Sequence, residues 1–236
     1  MKVDDTISQH LAKTLFNQLS GVAYFVKDTE LRYTSANATM CEMCGASEND
    51  VLGRRSLEFF SSKNASRGEA AEREILQSKR PSGEALSKIV GLEGRESWVV
   101  VRRWPILSQC GQAMGIAGLA RLLPDQARRT RVYSCIAGAV DHINRNYWDA
   151  LEVRNVAKAV GLSLDRLERE FSFIFGLSPR DYITKVRLEA ASERLVSGDS
   201  IADVAQACGY SDQSAFARRF RRQVGMSPSE FRRRYR

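Results

Sequence analysis

Arginine is concentrated at the end of this sequence of 236 residues. After Ser214 the only acid is Glu230, and the formal net charge of the whole chain is +8. A guanidinium group is a planar fork of N–H donors that pairs with phosphate oxygens and with the edges of bases. The clustering therefore favours a nucleic-acid partner over a membrane surface, with a solubilising basic tail as the alternative. The arginines are Arg218, Arg219, Arg221, Arg222, Arg232, Arg233, Arg234 and Arg236.

Residues that commonly perform acid–base or nucleophilic catalysis are scarce. The only histidines are His10 and His142, and no HExxH, GxSxG, GxGxxG or Walker pattern occurs. Cys41-x-x-Cys44 is half of a zinc or redox pattern, but no second pair supplies the remaining metal ligands. These two cysteines fit small, partly buried helix residues better than a thiol switch. We expect neither an enzyme nor a metal site.

Three features bear on the compartment. The chain has 5 cysteines, an odd and scattered set that fits reduced thiols rather than a disulfide framework. No apolar stretch approaches the ~20 residues that a membrane-spanning helix needs. The start, 1–10, lacks the basic and apolar regions of a signal peptide. We expect a cytoplasmic protein that does not contact a membrane.

The first half of the sequence alternates between short strands and short helices, which is typical of an α+β domain. A stripe of Ile7, Leu11, Leu15 and Leu19 predicts an amphipathic entry helix. Pro124 and the polar residues after it predict a linker over 124–131, between a domain at 1–123 and a helical domain at 132–236. The predicted strands are 21–26, 31–35, 84–92, 96–106 and 113–122, and the predicted helices are 37–44, 47–52 and 68–78.

The second half contains an internal repeat. Its first part recurs at an offset of 48 and its second part at an offset of 49, because a turn absorbs one extra residue. The matched pairs are Val156/Val204, Ala157/Ala205, Gly161/Gly209, Leu167/Phe216, Phe171/Phe220, Gly176/Gly225, Ser178/Ser227, Pro179/Pro228 and Tyr182/Phe231.

Each copy has the physical features of a helix-turn-helix. Gly161 or Gly209 ends the first helix, where a positive φ costs a glycine little. Ser163 or Ser211 begins the turn and can cap the second helix. Apolar residues one helical turn apart then hold the second helix on the unit and leave its opposite face free for a DNA groove. One such hairpin is also compatible with a purely structural role, but two copies with an arginine-rich second helix favour DNA.

A single helix is predicted to join the two motifs. Ser178-Pro179 begins it, with proline at the first helical position, and Gly198 ends it. A length of 15–18 residues corresponds to roughly 22–27 Å. With the widths of the flanking motifs, the two recognition helices can then lie about 34 Å apart, which is one turn of B-DNA.

The last 36 residues, IADVAQACGYSDQSAFARRFRRQVGMSPSEFRRRYR, resemble the C-terminal signature of AraC/XylS-type transcription regulators. The resemblance covers roughly 130–236 and implies a seven-helix DNA-binding domain with two helix-turn-helix motifs. By this resemblance Gln213 suits adenine, Arg218 suits guanine, and Arg219 is a solvated charge. The residues that it places in the groove are Ser211, Gln213, Ser214, Ala217 and Arg218, with Arg221 and Arg222 on phosphate.

The first recognition helix departs from that family pattern. Its expected outward positions hold Asp165, Glu168 and Glu170 beside Arg166 and Arg169. Carboxylates repel phosphate, although a glutamate can accept a hydrogen bond from cytosine. Arg169, followed by Arg166, is the expected DNA contact of this helix, and a solvated surface is the alternative for the whole set.

The first half resembles a PAS domain over residues 8–123. The segments that carry the resemblance are YFVKDTELRYTSANATMCEMCG, VLGRRSLEFF and GQAMGIAGLARLL. The family fold is a five-stranded antiparallel sheet that encloses a small cavity with helices, and it implies sensing or dimerisation. The helix that carries the axial histidine of haem-binding members has no histidine here, and GRRS lacks the reactive cysteine of flavin photosensors. We therefore expect no cofactor.

An organic ligand in the PAS-like cavity is the remaining hypothesis, and a filled core without a ligand is its alternative. Aromatic residues with one cationic group can hold a small carboxylate. The expected ligand-binding residues are Tyr24, Tyr33, Phe59, Trp98, Arg102 and Trp104.

The sequence as a whole predicts an α+β N-terminal domain followed by an all-α domain. The predicted function is a sequence-specific DNA-binding transcription regulator, modulated by a small ligand or by dimerisation through the PAS-like domain. A non-specific architectural DNA-binding protein with a ligand-free interaction domain is the alternative. Double-stranded DNA is the expected partner. RNA polymerase, a small-molecule effector and a second copy of the chain are further candidates.

Overall fold

The computed structural model describes residues 5–92, 94, 96–124 and 126–235, with the side chains of 11 onward except those of 126–128. The chain divides into two compact units, Met1–Ser134 and Cys135–Arg236. The N-terminal unit contains the sheet, and the C-terminal unit is helical.

One antiparallel sheet of five strands, in the order β2-β1-β5-β4-β3, forms the centre of the N-terminal unit. Phe25 on β1 lies opposite Gly118 on β5. A Cβ at Gly118 would come within 2.2 Å of the Phe25 ring, so this position requires glycine. The strands are β1 (Val22–Lys27), β2 (Tyr33–Ala36), β3 (Ala85–Val90), β4 (Glu96–Leu107) and β5 (Ala113–Leu122).

Both faces of the sheet are covered, so β1 up to Val26 and the middle of β4 are apolar on both sides. On one face, which we call the inner face, Phe25, Val99 and Val101 belong to the main core. On the opposite, outer face, Tyr24 stacks on Phe16 at a centroid distance of 4.9 Å. Alternate residues of one strand therefore belong to two separate apolar layers.

The helices of this unit are α1 (Asp5–Asn17), α2 (Ala38–Cys44), α3 (Glu48–Val51) and α4 (Ser62–Ser78), with a 3-10 helix at Ser56–Glu58. The predicted entry helix and the predicted helices at 37–44 and 47–52 are confirmed. The side chains of Ile7 and His10 lie outside the described residues. The predicted start of α4 at residue 68 is wrong by six residues, since the helix begins at Ser62. Ala65 is the only apolar residue before Gly68 in this stretch, which is too few to give a helical pattern.

The predicted linker at 124–131 is wrong over most of its length, because helix α5 (Gln126–Asn146) begins inside it. A polar composition does not end a helix, and neither glycine nor proline follows Pro124 until Gly138. The apolar stripe that continues the helix includes Ile136, Val140 and Ile143, each buried with 0% exposure.

The remaining helices of the C-terminal unit follow one another through short turns, as predicted for everything beyond about residue 130. They are α6 (Val153–Ala159), α7 (Leu164–Phe175), α8 (Pro179–Ser197), α9 (Ile201–Ala207), α10 (Gln213–Val224) and α11 (Pro228–Tyr235).

Candidate nucleic-acid interface

The two copies of the repeat form two helical pairs of equal size. Helices α6 and α9 each have 7 residues, and α7 and α10 each have 12. Gly176 ends α7 and Gly225 ends α10, both with a left-handed backbone. The repeat predicted from the sequence is therefore confirmed as a pair of matching helix-turn-helix motifs.

Helix α10 is strongly amphipathic. Phe216 and Phe220 are fully buried and pack ring to ring at 5.5 Å, which fixes that side of the helix in the core. The opposite side is open to solvent and carries hydrogen-bond donors without any carboxylate inside the helix. Its exposed residues include Gln213, Ser214, Arg218, Arg221 and Arg222, and Ser211 is exposed just before the helix.

The cap of α10 differs from the expectation. Asp212, rather than Ser211, accepts the hydrogen bond of the helix N-terminus, from the Ala215 amide at 2.7 Å. This bond holds the pKa of Asp212 below its usual value, and a hydrogen bond from Ser211 adds to the effect. The carboxylate of Asp212 thus caps the N-terminus of α10, and Ser211 is exposed to solvent just before it.

Arg219 does not have the solvated position expected for it. It is half-buried, and its guanidinium donates to the Thr184 hydroxyl at 3.2 Å, which ties α10 to α8. Arg232 similarly binds the Asp199 carbonyl. These two arginines stabilise the unit, whereas Arg218, Arg221 and Arg222 of α10 are exposed to solvent.

The first recognition helix, α7, has a mixed surface. Asp165, Arg166, Glu168 and Arg169 are exposed, as predicted. Glu170 is not an outward residue, because its exposure is only 3%. It lies on the same helical stripe as the buried Leu167, Phe171 and Ile174, at the spacing that brings residues onto one face. Arg169 is the counterpart of Arg218 at the offset of 49.

Helix α8 joins the two motifs and contributes to the core of each. Near its start, Tyr182 packs on Phe171 and Phe175 of α7, with centroid distances of 5.5 and 5.0 Å. Near its end, Leu195 belongs to the core of the second motif. Ser178 caps the helix, Pro179 begins it and Gly198 ends it, as predicted. Its 19 residues correspond to about 28 Å.

The turn between α9 and α10 is fixed by a close approach of backbones. Gly209 has a φ of +75°, and a Cβ there would lie 2.7 Å from the Trp148 carbonyl oxygen. Arg187 of α8 donates to the carbonyls of Tyr147 and Asp149, each at 2.7 Å, and so holds this segment in place. The sequence marked Gly209 as a turn residue but gave no signal for Arg187, since its partners are backbone atoms.

The N-terminal unit contains a cavity of about 220 Å³ between the inner face of the sheet and α4. Of the six residues predicted to bind a ligand, only Tyr33 lines it. Phe59 is buried in the same core beside Tyr33, but its neighbour Phe60 reaches the cavity. Tyr24, Trp98, Arg102 and Trp104 do not line it, because they alternate with the inner-face residues along their strands. The predicted pocket combined residues from the two faces of the sheet.

A buried group of charges lies at this cavity and was not predicted. Lys27 and Glu72 are 1% and 2% exposed, and their ion pair measures 2.7 Å. Arg103 donates to the other carboxylate oxygen of Glu72 at 3.2 Å. Burial lowers the pKa of Lys27, and Glu72 opposes that shift. The alternation of β4 could have placed Arg103 here, because the sequence puts it on the face opposite Arg102.

Cys41 and Cys44 lie in α2 against the core. Burial raises the pKa of both thiols, that of Cys44 to about 12, so both are poor nucleophiles at neutral pH. Among the described residues no cluster of histidine, cysteine and acidic side chains could hold a metal ion. Within the same residues, none of the helices has the length and apolarity required to span a bilayer.

Comparison with known families agrees with this architecture. A family model described as a helix-turn-helix domain matches residues 156–234, and a model described as a PAS fold matches residues 16–128. The chain therefore carries a helix-turn-helix domain of the AraC/XylS type and a PAS domain.

Individual relatives match part of the chain. The lactose operon transcription activator of Staphylococcus xylosus is 36% identical over 98 residues, which is 41% of this chain and 35% of that protein. The HTH-type transcriptional activator RhaS of Yersinia pestis (strain Pestoides F) is 33% identical over 94 residues, or 39% of this chain and 34% of that protein. The chain thus spans about a third of the length of these relatives. An AraC-type regulator structure from Chromobacterium violaceum has 28% identity and a TM-score of 0.42, and covers 45% of this chain and 96% of that one.

Proposed function

We propose that this chain is a sequence-specific DNA-binding transcription regulator, with DNA contacts made by α7 and α10. The observation that carries the proposal is the matched pair of helix-turn-helix motifs on one shared helix. Helix α10 presents Arg218, Arg221 and Arg222 to solvent, which are suited to base edges and phosphates. The similarity to named transcription activators supports the same function.

The length of α8 supports reading of two successive major grooves by one chain. Its span of about 28 Å, together with the widths of the two motifs, agrees with the repeat of about 34 Å in B-DNA. We expect α10 to provide most of the affinity. Helix α7 should provide less, because Asp165 and Glu168 weaken its attraction to phosphate.

Selection of binding sites from a random pool of duplex DNA tests this proposal. We expect a consensus that extends over about two helical turns, with binding that weakens steeply as salt rises. A pool without any enriched sequence, at an affinity above background, would instead identify a non-specific architectural protein.

We further propose that the PAS domain modulates DNA binding through a small-molecule effector or a second copy of the chain. The cavity supports an effector. On α1, Leu11 and Leu15 lie one helical turn apart and are 55% and 59% exposed, which supports self-association. Sedimentation of the full chain and of Leu15→Glu tests the second route, which requires a dimer that this variant weakens. The expected contact with RNA polymerase and the cytoplasmic location stay predictions.

A further inference from the structure

We infer that the cavity of the N-terminal unit binds a small organic anion with an apolar part, held by Arg103 and by the hydroxyl pair of Ser56 and Tyr33. The inference rests on the proposed role of this unit as a ligand sensor, and it specifies the chemical class of the ligand. Three observations support it: the charges that line the cavity, the hydrogen bonds of the hydroxyl pair, and the apolar remainder of the wall.

The charged residues that line the cavity are unequal in sign. Arg67, Lys88 and Arg103 are cationic, and Glu72 is the only carboxylate among the described residues of the lining. The ammonium of Lys88 pairs at 2.6 Å with Glu96, which lies outside the lining, so Arg67 and Arg103 carry the excess positive charge. Both oxygens of Glu72 already accept hydrogen bonds, one from Lys27 and the other from Arg103. A guanidinium group stays charged at every accessible pH. The wall therefore attracts an anion and disfavours a cation.

The hydroxyl pair has one more hydrogen than its contacts use. Ser56 Oγ accepts from the Lys27 ammonium at 2.7 Å and lies 3.0 Å from the Tyr33 hydroxyl. One hydroxyl hydrogen serves the contact between Ser56 and Tyr33, whichever of them donates. The second hydrogen has no acceptor among the residues that the structure describes. Both residues line the cavity and are buried, with exposures of 8% and 2%.

A buried O–H without an acceptor is costly, and an oxygen of the ligand would satisfy it. A carboxylate supplies this acceptor together with the negative charge that Arg103 attracts, and hydrogen bonds of this kind are stronger than neutral ones. One carboxylate would thus accept the unused hydroxyl hydrogen and pair with the positive charge of Arg103.

Most of the remaining wall is apolar, and Asn64 and Ser87 are its other polar residues. Phe25, Phe60, Met40 and Val101 line the cavity on the side of the sheet and of α2. Together with a volume of about 220 Å³, this surface suits a compact hydrocarbon or aromatic body rather than a sugar or a nucleotide.

Isothermal titration of the full chain with paired probes tests this inference. The carboxylates are benzoate, phenylacetate and hexanoate, and the neutral partners are benzamide, phenylacetamide and hexanamide. We expect at least one carboxylate to bind about tenfold or more tightly than its amide, because a charge-assisted hydrogen bond is worth more than a neutral one. Arg103→Gln should weaken carboxylate binding by about 10- to 100-fold, and Tyr33→Phe by a smaller factor.

Matched controls lie on the outer face of the same sheet. Arg102→Gln makes the same chemical change one residue from Arg103, and Tyr24→Phe makes the same change as Tyr33→Phe on the neighbouring strand β1. Both variants should bind the carboxylate as the parent chain does. If circular dichroism shows that Arg103→Gln is not folded, Tyr33→Phe decides between the outcomes. Amides that bind as well as carboxylates, controls that lose binding equally, or no carboxylate binding at about 10 mM would each overturn the inference.

The same titrations, combined with measurements of DNA affinity with and without the carboxylate, separate this inference from the proposed function. Carboxylate binding that leaves DNA affinity unchanged would refute effector control but leave the anion site in place. Specific DNA binding without carboxylate binding would refute the anion site but leave the DNA-binding function in place.

Discussion

Replacement of Arg218 by alanine is the sharpest test of the proposed interface. Arg218 is exposed on the side of α10 opposite the buried Phe216 and Phe220, so its loss leaves the core of the motif intact. A bidentate arginine–guanine pair contributes about 1–3 kcal/mol of discrimination. Since about 1.4 kcal/mol corresponds to a factor of ten, the variant should bind its selected site about 5- to 150-fold more weakly.

Fluorescence anisotropy on the selected site and on random duplex, each at several salt concentrations, measures this effect. A base contact predicts a large loss on the selected site, a small loss on random DNA and relaxed preference at one base position. Arg222→Ala should instead weaken both DNAs and reduce the salt slope by about 0.9, as expected for a phosphate contact. Arg54→Ala removes an exposed arginine of the N-terminal unit and serves as the charge-matched control.

Equal losses on selected and random DNA in Arg218→Ala would refute the assignment of this residue to a base. The equivalent change in the first motif, Arg169→Ala, should have a smaller effect than Arg218→Ala. Asp165 and Glu168 are exposed on the same helix and reduce the local positive potential.

Three further predictions concern other parts of the chain. Glu168→Gln should raise DNA affinity about threefold at low salt, because it removes one negative charge at about 7 Å from a phosphate. A loss of preference confined to one base position would identify a cytosine contact instead. Gly209→Ala should destabilise the C-terminal unit by more than about 1 kcal/mol in urea unfolding, because its Cβ would lie 2.7 Å from the Trp148 carbonyl. The pKa of the Cys44 thiol is about 12 in the folded chain and ordinarily 9.0. Its contribution to the free energy of unfolding is therefore fully present below pH 9.0 and is lost as pH rises toward 12, because the unfolded chain releases this proton first. In urea unfolding between pH 9 and 10.5, the stability of Cys44→Ala should therefore fall less steeply than that of the parent chain, by about 1.4 kcal/mol per pH unit at most. Replacement of the exposed Cys110 by alanine should not reduce this decline.

Much of this architecture is predictable from the sequence because local rules and global fold agree. Gly198, Ser178 and Pro179 set the limits of α8 by capping chemistry alone. The repeat predicted both motifs, because each copy buries the same apolar positions. The strand pattern likewise predicted the sheet of the N-terminal unit to within one or two residues at most ends.

The predictions that were wrong concern features that the linear sequence does not determine, such as which face of a strand meets the cavity. Trp98, Arg102 and Trp104 have the composition of a ligand site, but alternation alone does not say which face of β4 meets the cavity. Glu170 is charged, which favours an outward position, but its place in the helix lies on the buried stripe. The polar composition after Pro124 predicts a linker, but polarity without a helix breaker does not prevent a helix.

The two motifs follow each other in the same direction along the chain and differ in charge, and α8 supplies core residues to both. A DNA target matched to one copy of this unit therefore has no twofold axis, and its two ends differ. Inversion of such a target within a promoter turns the bound chain around, so the mixed-charge motif then lies on the side where the arginine-rich motif lay before. Transcriptional output should thus depend on the orientation of the target as well as on its presence.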